Sequence, residues 1–233
     1  ILELLEVKTD LCFDPVKWQT ARGDSFIVQY TSEATVDKAG EMTGAVLILQ
    51  NVTQQRENEE RIQYLVNFDD LTGLPNRTNF QEAVKSAIAR TRRTSSSIAI
   101  LIVDTDHITV INEKMGHEAG DQTLKEIARR LKSAFREGDM VARLHGDQFA
   151  IMLADLDRAE NAAIAADKII KDAAAPMTIK GTALSTSVSV GIAVMDEEHS
   201  NSDDIISAAV SAVEHAKGEG RSTYRFYHPK LQQ

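Results

Sequence analysis

Cysteine is nearly absent from this chain. Cys12 is the sole thiol in 233 residues, which excludes an internal disulfide and fits a reducing compartment. Positive charge is also short: 26 lysines and arginines stand against 35 aspartates and glutamates, a net charge of −9. That balance excludes nucleic acid as the main partner, because phosphate-backbone contacts need clustered cations. A local basic pocket for a nucleotide is compatible with it. No apolar run approaches the roughly 20 residues of a membrane-spanning helix, and the sequence shows no signal peptide. A cytoplasmic location is expected. The chain opens at Ile1 without a methionine, inside a strand-like pattern. It is therefore expected to be a piece of a longer protein, whose other parts could carry membrane segments.

What is present is ordinary for a folded soluble protein: 42% hydrophobic and 26% charged residues, in a length that suits one or two domains. Residues 1–53 read as strands. Phe26, Val28 and Tyr30 alternate with polar neighbours, and Ala45-Val46-Leu47-Ile48-Leu49 predicts a buried strand after a Gly40–Gly44 turn region. Residues 54–68 are charged and free of Gly and Pro, with Ile62, Leu65 and Val66 on a narrow stripe. They predict a helix, either a solvated linker or one that pairs with its own copy. From residue 69 helix and strand alternate. Helices are predicted over 78–93, 118–136, 157–174 and 203–217. Strands are predicted over Ser97–Asp104, Thr186–Val194 and Thr223–Tyr227, with a hairpin over 140–153. This order predicts an α/β (α+β) sandwich around a mixed central sheet.

The hairpin carries the most informative stretch, Arg143-Leu144-His145-Gly146-Asp147-Gln148-Phe149. A Gly-Asp turn joins its strands; Gly146 permits close backbone approach to a ligand, and Asp147 sets a carboxylate at the tip. Asp104-Thr105-Asp106 closes an apolar strand, where a carboxylate can hold a hard divalent cation or simply cap a turn. The two acids are expected to face opposite ways, leaving one for metal. Asn112, with the run Gly116-His117-Glu118-Ala119-Gly120-Asp121, offers an amide and a carboxylate that together can read a guanine edge, although Asp121 also suits a helix start. Ala216-Lys217-Gly218-Glu219-Gly220-Arg221 places two cations at a helix end, fit for terminal phosphates or for the helix dipole. Arg136 and Asp139 form an Arg-x-x-Asp pair that can hold a guanine base or be an exposed ion pair. Asp70-Leu71-Thr72-Gly73-Leu74-Pro75-Asn76-Arg77 reads as a turn before a helix.

Together these motifs resemble the GGDEF family over residues 67–228, the diguanylate cyclases that join two GTP into cyclic di-GMP. The resemblance implies a ferredoxin-like palm, as in class III nucleotidyl cyclases. It implies Mg2+ (or Mn2+) held by Asp104, Thr105 and Asp147, and GTP held by Asn112, Asp121, Gly146, Lys217 and Arg221. It also implies an inhibitory cyclic di-GMP site at Arg136 and Asp139. The stretch Gly44 to Thr53, ending Asn51-Val52-Thr53, resembles the last strand and exit of a PAS domain; a generic β-hairpin unit is the alternative. Phe226 to Gln233 resembles the junction that leads into an EAL phosphodiesterase domain. The expected organisation is the C-terminal part of a PAS domain over 1–53, a signalling helix over 54–68, a GGDEF domain over 69–228 and the start of a linker over 229–233. A homodimer through the PAS part and the helix is expected.

Where the family reads Gly-Gly-Asp/Glu-Glu-Phe, this chain reads His145-Gly146-Asp147-Gln148-Phe149. His145 adds a ring where glycine lets backbone meet nucleotide, and it is expected to be forced toward an unfavourable φ. Gln148 carries no charge and cannot take a proton as a carboxylate does. Ile108-Thr109 replace the family's usual Phe-Lys, and Val210 and Glu214 replace Asp and Tyr. The expectation is a degenerate domain that binds GTP or cyclic di-GMP and controls a neighbour. A weakly active cyclase and a nucleotide-free docking module are the alternatives.

Overall fold

The computed structural model describes residues 11–12, 15–20, 23–91, 97–156, 158–195 and 201–228. The chain divides into two units, Ile1–Tyr64 and Leu65–Gln233. The expected linker over 229–233 lies outside the described residues, as does most of the expected junction that follows Phe226.

The first unit is a sheet of strands β1 (Leu11–Cys12), β2 (Val16–Gln19), β3 (Ser25–Val36) and β4 (Met42–Asn51). All pair antiparallel with the long β3. Between β3 and β4 the Asp37 carboxylate accepts from the backbone of Ala39 at 2.8 Å and of Glu41 at 2.9 Å, a local tie that sets the turn. The β4 core expected from its apolar run is not buried. Val46, Leu47, Ile48 and Leu49 are 45–55% exposed, while on β3 of the same sheet Val28 is buried. Helix α1 (Thr53–Asn67) starts where Asn51 Oδ1 accepts from the Thr53 backbone at 3.0 Å. None of its residues is buried, and Ile62, Leu65 and Val66 lie open on it.

The second unit holds α2 (Arg77–Thr91), β5 (Ser97–Thr105), α3 (Ile108–Met115), α4 (His117–Ala134), β6 (Met140–His145) and β7 (Gln148–Leu156). It continues through α5 (Glu160–Ala174), β8 (Met177–Ile179), β9 (Thr182–Leu184), β10 (Val188–Val194), α6 (Ser202–Gly218) and β11 (Tyr224–Phe226). The main sheet has the order β11-β10-β5-β7-β6. Its β5, β6, β7 and β10 form a ferredoxin-like arrangement, and β11 adds a parallel edge to β10.

Strand β5 explains the layering. Its residues from Ile98 to Thr105 are all buried, so it reads as a continuous apolar run rather than an alternating one. Side chains alternate across it. Ala99, Leu101 and Val103 pack with α4 and α5 residues such as Ile127, Leu131 and Ile169. Ile98, Ile100 and Ile102 pack with Phe80 and Val84 of α2 and with Ile205 and Ala209 of α6. Two cores therefore sandwich one sheet.

Two elements were not anticipated. Helix α3 occupies eight residues after the acidic strand end, and the β8–β9 hairpin turns at Lys180 and Gly181, with φ of 49° and 77°. Both are too short for periodicity to reveal.

Helix α6 lies so close to β10 that glycine is required at one point. A Cβ on Gly191 would sit 2.2 Å from both the Ala209 carbonyl oxygen and the Val213 nitrogen. Gly191→Ala is expected to destabilise the second unit by about 1–3 kcal/mol, the cost of overpacking. Chemical denaturation of the variant checks this, and an unchanged midpoint would contradict the tight α6–β10 contact.

Candidate functional site

The end of β5 and the tip of the β6–β7 hairpin form the centre of the site. Asp104 is 4% exposed. Its Oδ2 accepts from Gln148 Nε2 at 3.1 Å and pairs with Lys217 Nζ at 2.8 Å. Strand register places Asp104 opposite Gln148, and the Thr105 N–H donates to the Asp147 carbonyl at 3.0 Å. Burial raises the Asp104 carboxyl above its ordinary 3.8, and the charge of Asp147 adds to that; Lys217 and Gln148 offset part of it. The Lys217 ammonium is held above its usual value, because Asp104 and Glu214, the latter at 3.1 Å, outweigh the effect of burial.

Asp106 does not join this centre. The reason differs from the expected alternation, since residues two apart on a strand share a face. Strand β5 ends at Thr105, and the chain turns through His107 at φ 63° into α3. The Asp106 carboxylate is taken instead by Ser187 Oγ at 2.6 Å and Ser189 Oγ at 3.0 Å.

At the hairpin tip only Gly146 has positive φ, 52°. His145 lies in β6 with its side chain exposed and its φ outside the positive range. The expected backbone strain at His145 is thus absent: the left-handed position falls one residue later, on the glycine.

Sequence reasoning missed the clamp behind this turn. Arg143 donates to the Gly146 carbonyl at 2.6 Å and, through its other terminal nitrogen, to Asp69 at 2.9 Å. Its side chain is 11% exposed. Burial alone would raise the Asp69 carboxyl; hydrogen bonds from Thr72 and Arg143 outweigh it and hold the carboxyl below its ordinary range. Asp69 directly precedes the Asp70–Arg77 motif, and an arginine opening a tight hairpin was the available signal.

The α3–α4 corner carries the amide and the second carboxylate. Asn112 Oδ1 is buried without a hydrogen-bond partner. It lies 2.0 Å from where a Gly120 Cβ would stand, so any side chain at 120 would displace the Asn112 amide. Asp121 follows on α4 and is exposed. An orphaned buried amide oxygen beside an exposed carboxylate suits a ligand that presents both donors and acceptors.

The carboxylates fit one hard cation. Asp104 and Asp147 are close enough for their charges to interact, and a magnesium ion is commonly held by one or two carboxylates plus substrate phosphates. Among the described residues no group of three or more acidic, histidine or cysteine side chains forms a denser cluster. Lys217 and Arg221 flank the site from α6 and the turn after it. Glu214 pairs with Lys217 at 3.1 Å, so that ammonium is shared between two carboxylates.

Arg136 and Asp139 lie elsewhere, at the opposite end of β6, roughly 17 Å along the strand from the hairpin tip at 3.3–3.4 Å per residue. Arg136 donates to the Ala154 carbonyl at 2.7 Å and pairs with Asp139 at 3.4 Å. Asp139, with its side chain 8% exposed, also accepts from the Ala154 N–H at 3.2 Å. Both residues line a cavity of about 360 Å³ with Pro75, Lys132 and Phe135.

A palm sheet that carries carboxylates at the end of its central strand and on the adjacent hairpin defines a nucleotidyl-cyclase-like domain. A family model for the diguanylate cyclase GGDEF domain matches residues 66–223, and the chain belongs to that family. The diguanylate cyclase TpbB of Pseudomonas aeruginosa is 34% identical over 195 residues, covering 82% of this chain and 45% of TpbB. The cyclic di-GMP phosphodiesterase NbdA of the same organism is 31% identical over 170 residues, covering 73% of this chain and 22% of NbdA. The solved GGDEF domain of TpbB matches with a TM-score of 0.69 at 36% identity, over 70% of this chain and 96% of that one. This chain spans less than half the length of these two relatives.

A cation at Asp104 needs the ionised carboxylate, and the raised proton affinity of that group sets the competition. As pH falls, a proton takes Asp104 at a higher pH than it would an exposed aspartate. Mn2+ binding followed by titration is expected to weaken on acidification through a midpoint above 3.8, and Asp104→Asn should remove that midpoint. The same shift makes the fold lose stability as pH rises through it, since the folded state then holds the extra proton. Binding that stays level down to pH 3.8 would place the cation away from Asp104.

Proposed function

We propose that this GGDEF domain is a regulatory module of cyclic di-GMP signalling that binds GTP with one divalent cation and makes little or no cyclic di-GMP. The observation that carries this reading is Gln148. Where the family has glutamate, an amide donates to Asp104 at 3.1 Å. It quiets the one carboxylate the site most needs exposed to cations, and it cannot accept a proton from an attacking hydroxyl.

Joining two GTP requires a 3′-hydroxyl in line with an α-phosphate and neutralisation of the charge that develops. A bound divalent cation supplies that neutralisation. The chain's own residues bind and orient. Asn112 and Asp121 read the guanine edge, Lys217 and Arg221 hold the terminal phosphates, Gly146 lets backbone approach, and Asp104, Asp147 and the Thr105 carbonyl serve the cation. His145 sets an imidazole at the hairpin rim, where glycine leaves room for nucleotide.

Cyclic di-GMP is proposed to bind at Arg136 and Asp139. The cavity beside that pair and the exposed guanidinium support it. Residues 1–53 are proposed as the C-terminal part of a PAS domain, supported by an antiparallel sheet whose last strand exits through Asn51-Val52-Thr53 into α1. The open apolar stripe of α1 supports pairing with a second copy. A parent that carries an EAL phosphodiesterase domain is proposed as well, supported by the similarity to the cyclic di-GMP phosphodiesterase NbdA, a relative that joins such an activity to a matching segment.

Two measurements test these assignments. With GTP and Mg2+ at high protein concentration, the natural chain is expected to give no cyclic di-GMP above a metal-free control, while GTP binds in titration. His145→Gly combined with Gln148→Glu should restore detectable turnover; robust synthesis by the unmodified chain would overturn the degenerate reading. Separately, Arg136→Ala should weaken cyclic di-GMP binding by about tenfold or more, since a hydrogen bond to a charged group is lost. Unchanged affinity in that variant would move the ligand elsewhere.

A further inference from the structure

The Asp106 carboxylate is fully buried, yet it is not a cation ligand. Every direction around it is occupied by a donor. Oδ2 accepts from Ser187 Oγ at 2.6 Å and from the Ser222 backbone N–H at 3.4 Å. Oδ1 accepts from Ser189 Oγ at 3.0 Å and faces Arg221 Nε at 3.8 Å. Its main chain is tied as well: its N–H donates to the Ser187 carbonyl at 2.9 Å, and its carbonyl accepts from Thr186 Oγ1 at 2.8 Å. One residue thus joins the end of β5, the start of β10 and the turn between α6 and β11.

That turn is unusual. Gly220, Arg221 and Ser222 have φ of 116°, 64° and 49° in succession. Two of the three are not glycine, and such residues hold this conformation only where the surroundings over-determine it. The restraints are visible. Arg221 N–H donates to the Ala216 carbonyl at 3.2 Å, and the Val190 N–H donates to the Thr223 carbonyl at 2.9 Å. The Ser222 N–H, at the end of the strained run, goes to Asp106. Arg221 is presented from this run with its side chain 48% exposed.

We propose that Asp106 is a positioning residue for the phosphate end of the nucleotide: it fixes the left-handed turn at 220–222 and so aims Arg221, acting through that arginine rather than by contact with the nucleotide. The inference rests on the reading of Lys217 and Arg221 as phosphate ligands. It separates the two acids of Asp104-Thr105-Asp106 by role. Asp104 serves the cation and Asp106 serves the cation's neighbour. It also gives Ser187 and Ser189 a function, since their hydroxyls satisfy a buried carboxylate and hold it in place.

The test compares GTP with GMP, which share the guanine and differ in the phosphates that Arg221 reaches. Titrations use the whole chain with Mg2+. Asp106→Asn keeps the shape and removes the charge. It is expected to lower GTP affinity by about tenfold, the scale on which partners behind a ligating group act, while GMP affinity stays level. In an Arg221→Ala background the same change should cost nothing further in GTP affinity. Ser187→Ala, which removes one donor and keeps the carboxylate, should shift the GTP-to-GMP ratio in the same direction by less, and it serves if Asp106→Asn fails to fold. A folded Asp106→Asn chain with an unchanged ratio would overturn the inference, as would an equal loss for both nucleotides. If the natural chain itself bound GTP no better than GMP, the phosphate-ligand reading would fail, which is a different result.

Discussion

Burial of β5 on both faces is the constraint on which the rest of this domain depends. A strand sandwiched between two helical layers cannot carry polar side chains along its length, so its polar residues gather where it ends. Asp104, Thr105 and Asp106 emerge there as buried groups, and both carboxylates find partners while the Thr105 hydroxyl has none. Gln148 and Lys217 meet Asp104; two serines and a backbone N–H meet Asp106. The site is assembled from whatever the sheet order brings beside that strand end: the β7 hairpin on one side and β10 with the α6 turn on the other.

This arrangement explains why a single amide matters so much. In the register of β5 and β7, position 148 stands opposite Asp104. A carboxylate there would add a third negative charge near Asp104 and Asp147, which would raise the proton affinity of the group. The amide relieves that repulsion and stabilises the empty site. The hairpin itself is held from behind, by Arg143 bridging the Gly146 carbonyl and Asp69.

The α/β order of the second unit was legible in the sequence because long amphipathic helices and buried strands leave strong patterns. The hydrophobic run of residues 98–103 and the hairpin around Gly146 marked the sheet, and the spaced motifs marked the family. The β4 run misled. Ala45 to Leu49 look like a core strand, but apolar character says what a strand would bury, and Val46 to Leu49 are 45–55% exposed. Asp106 was expected to face away from Asp104 by strand alternation, but residues two apart share a face; it is set apart by the end of β5 at Thr105 and by Ser187, Ser189 and Ser222, which lie more than eighty residues away and carry no local signature. His145 was expected to be strained, but the turn placed its positive φ on Gly146.

The sequence by itself determined the long helices and buried strands of the second unit, the family and the residues at the hairpin tip, because these rest on local periodicity and on motif spacing along one chain. Only the tertiary structure decided that Asp104 and Asp106 have different partners, that Arg143 clamps to Asp69, and that Gln148 answers Asp104. Those relations are set by sheet register and by where β5 stops. They are electrostatic, and charges find one another through space rather than along the chain.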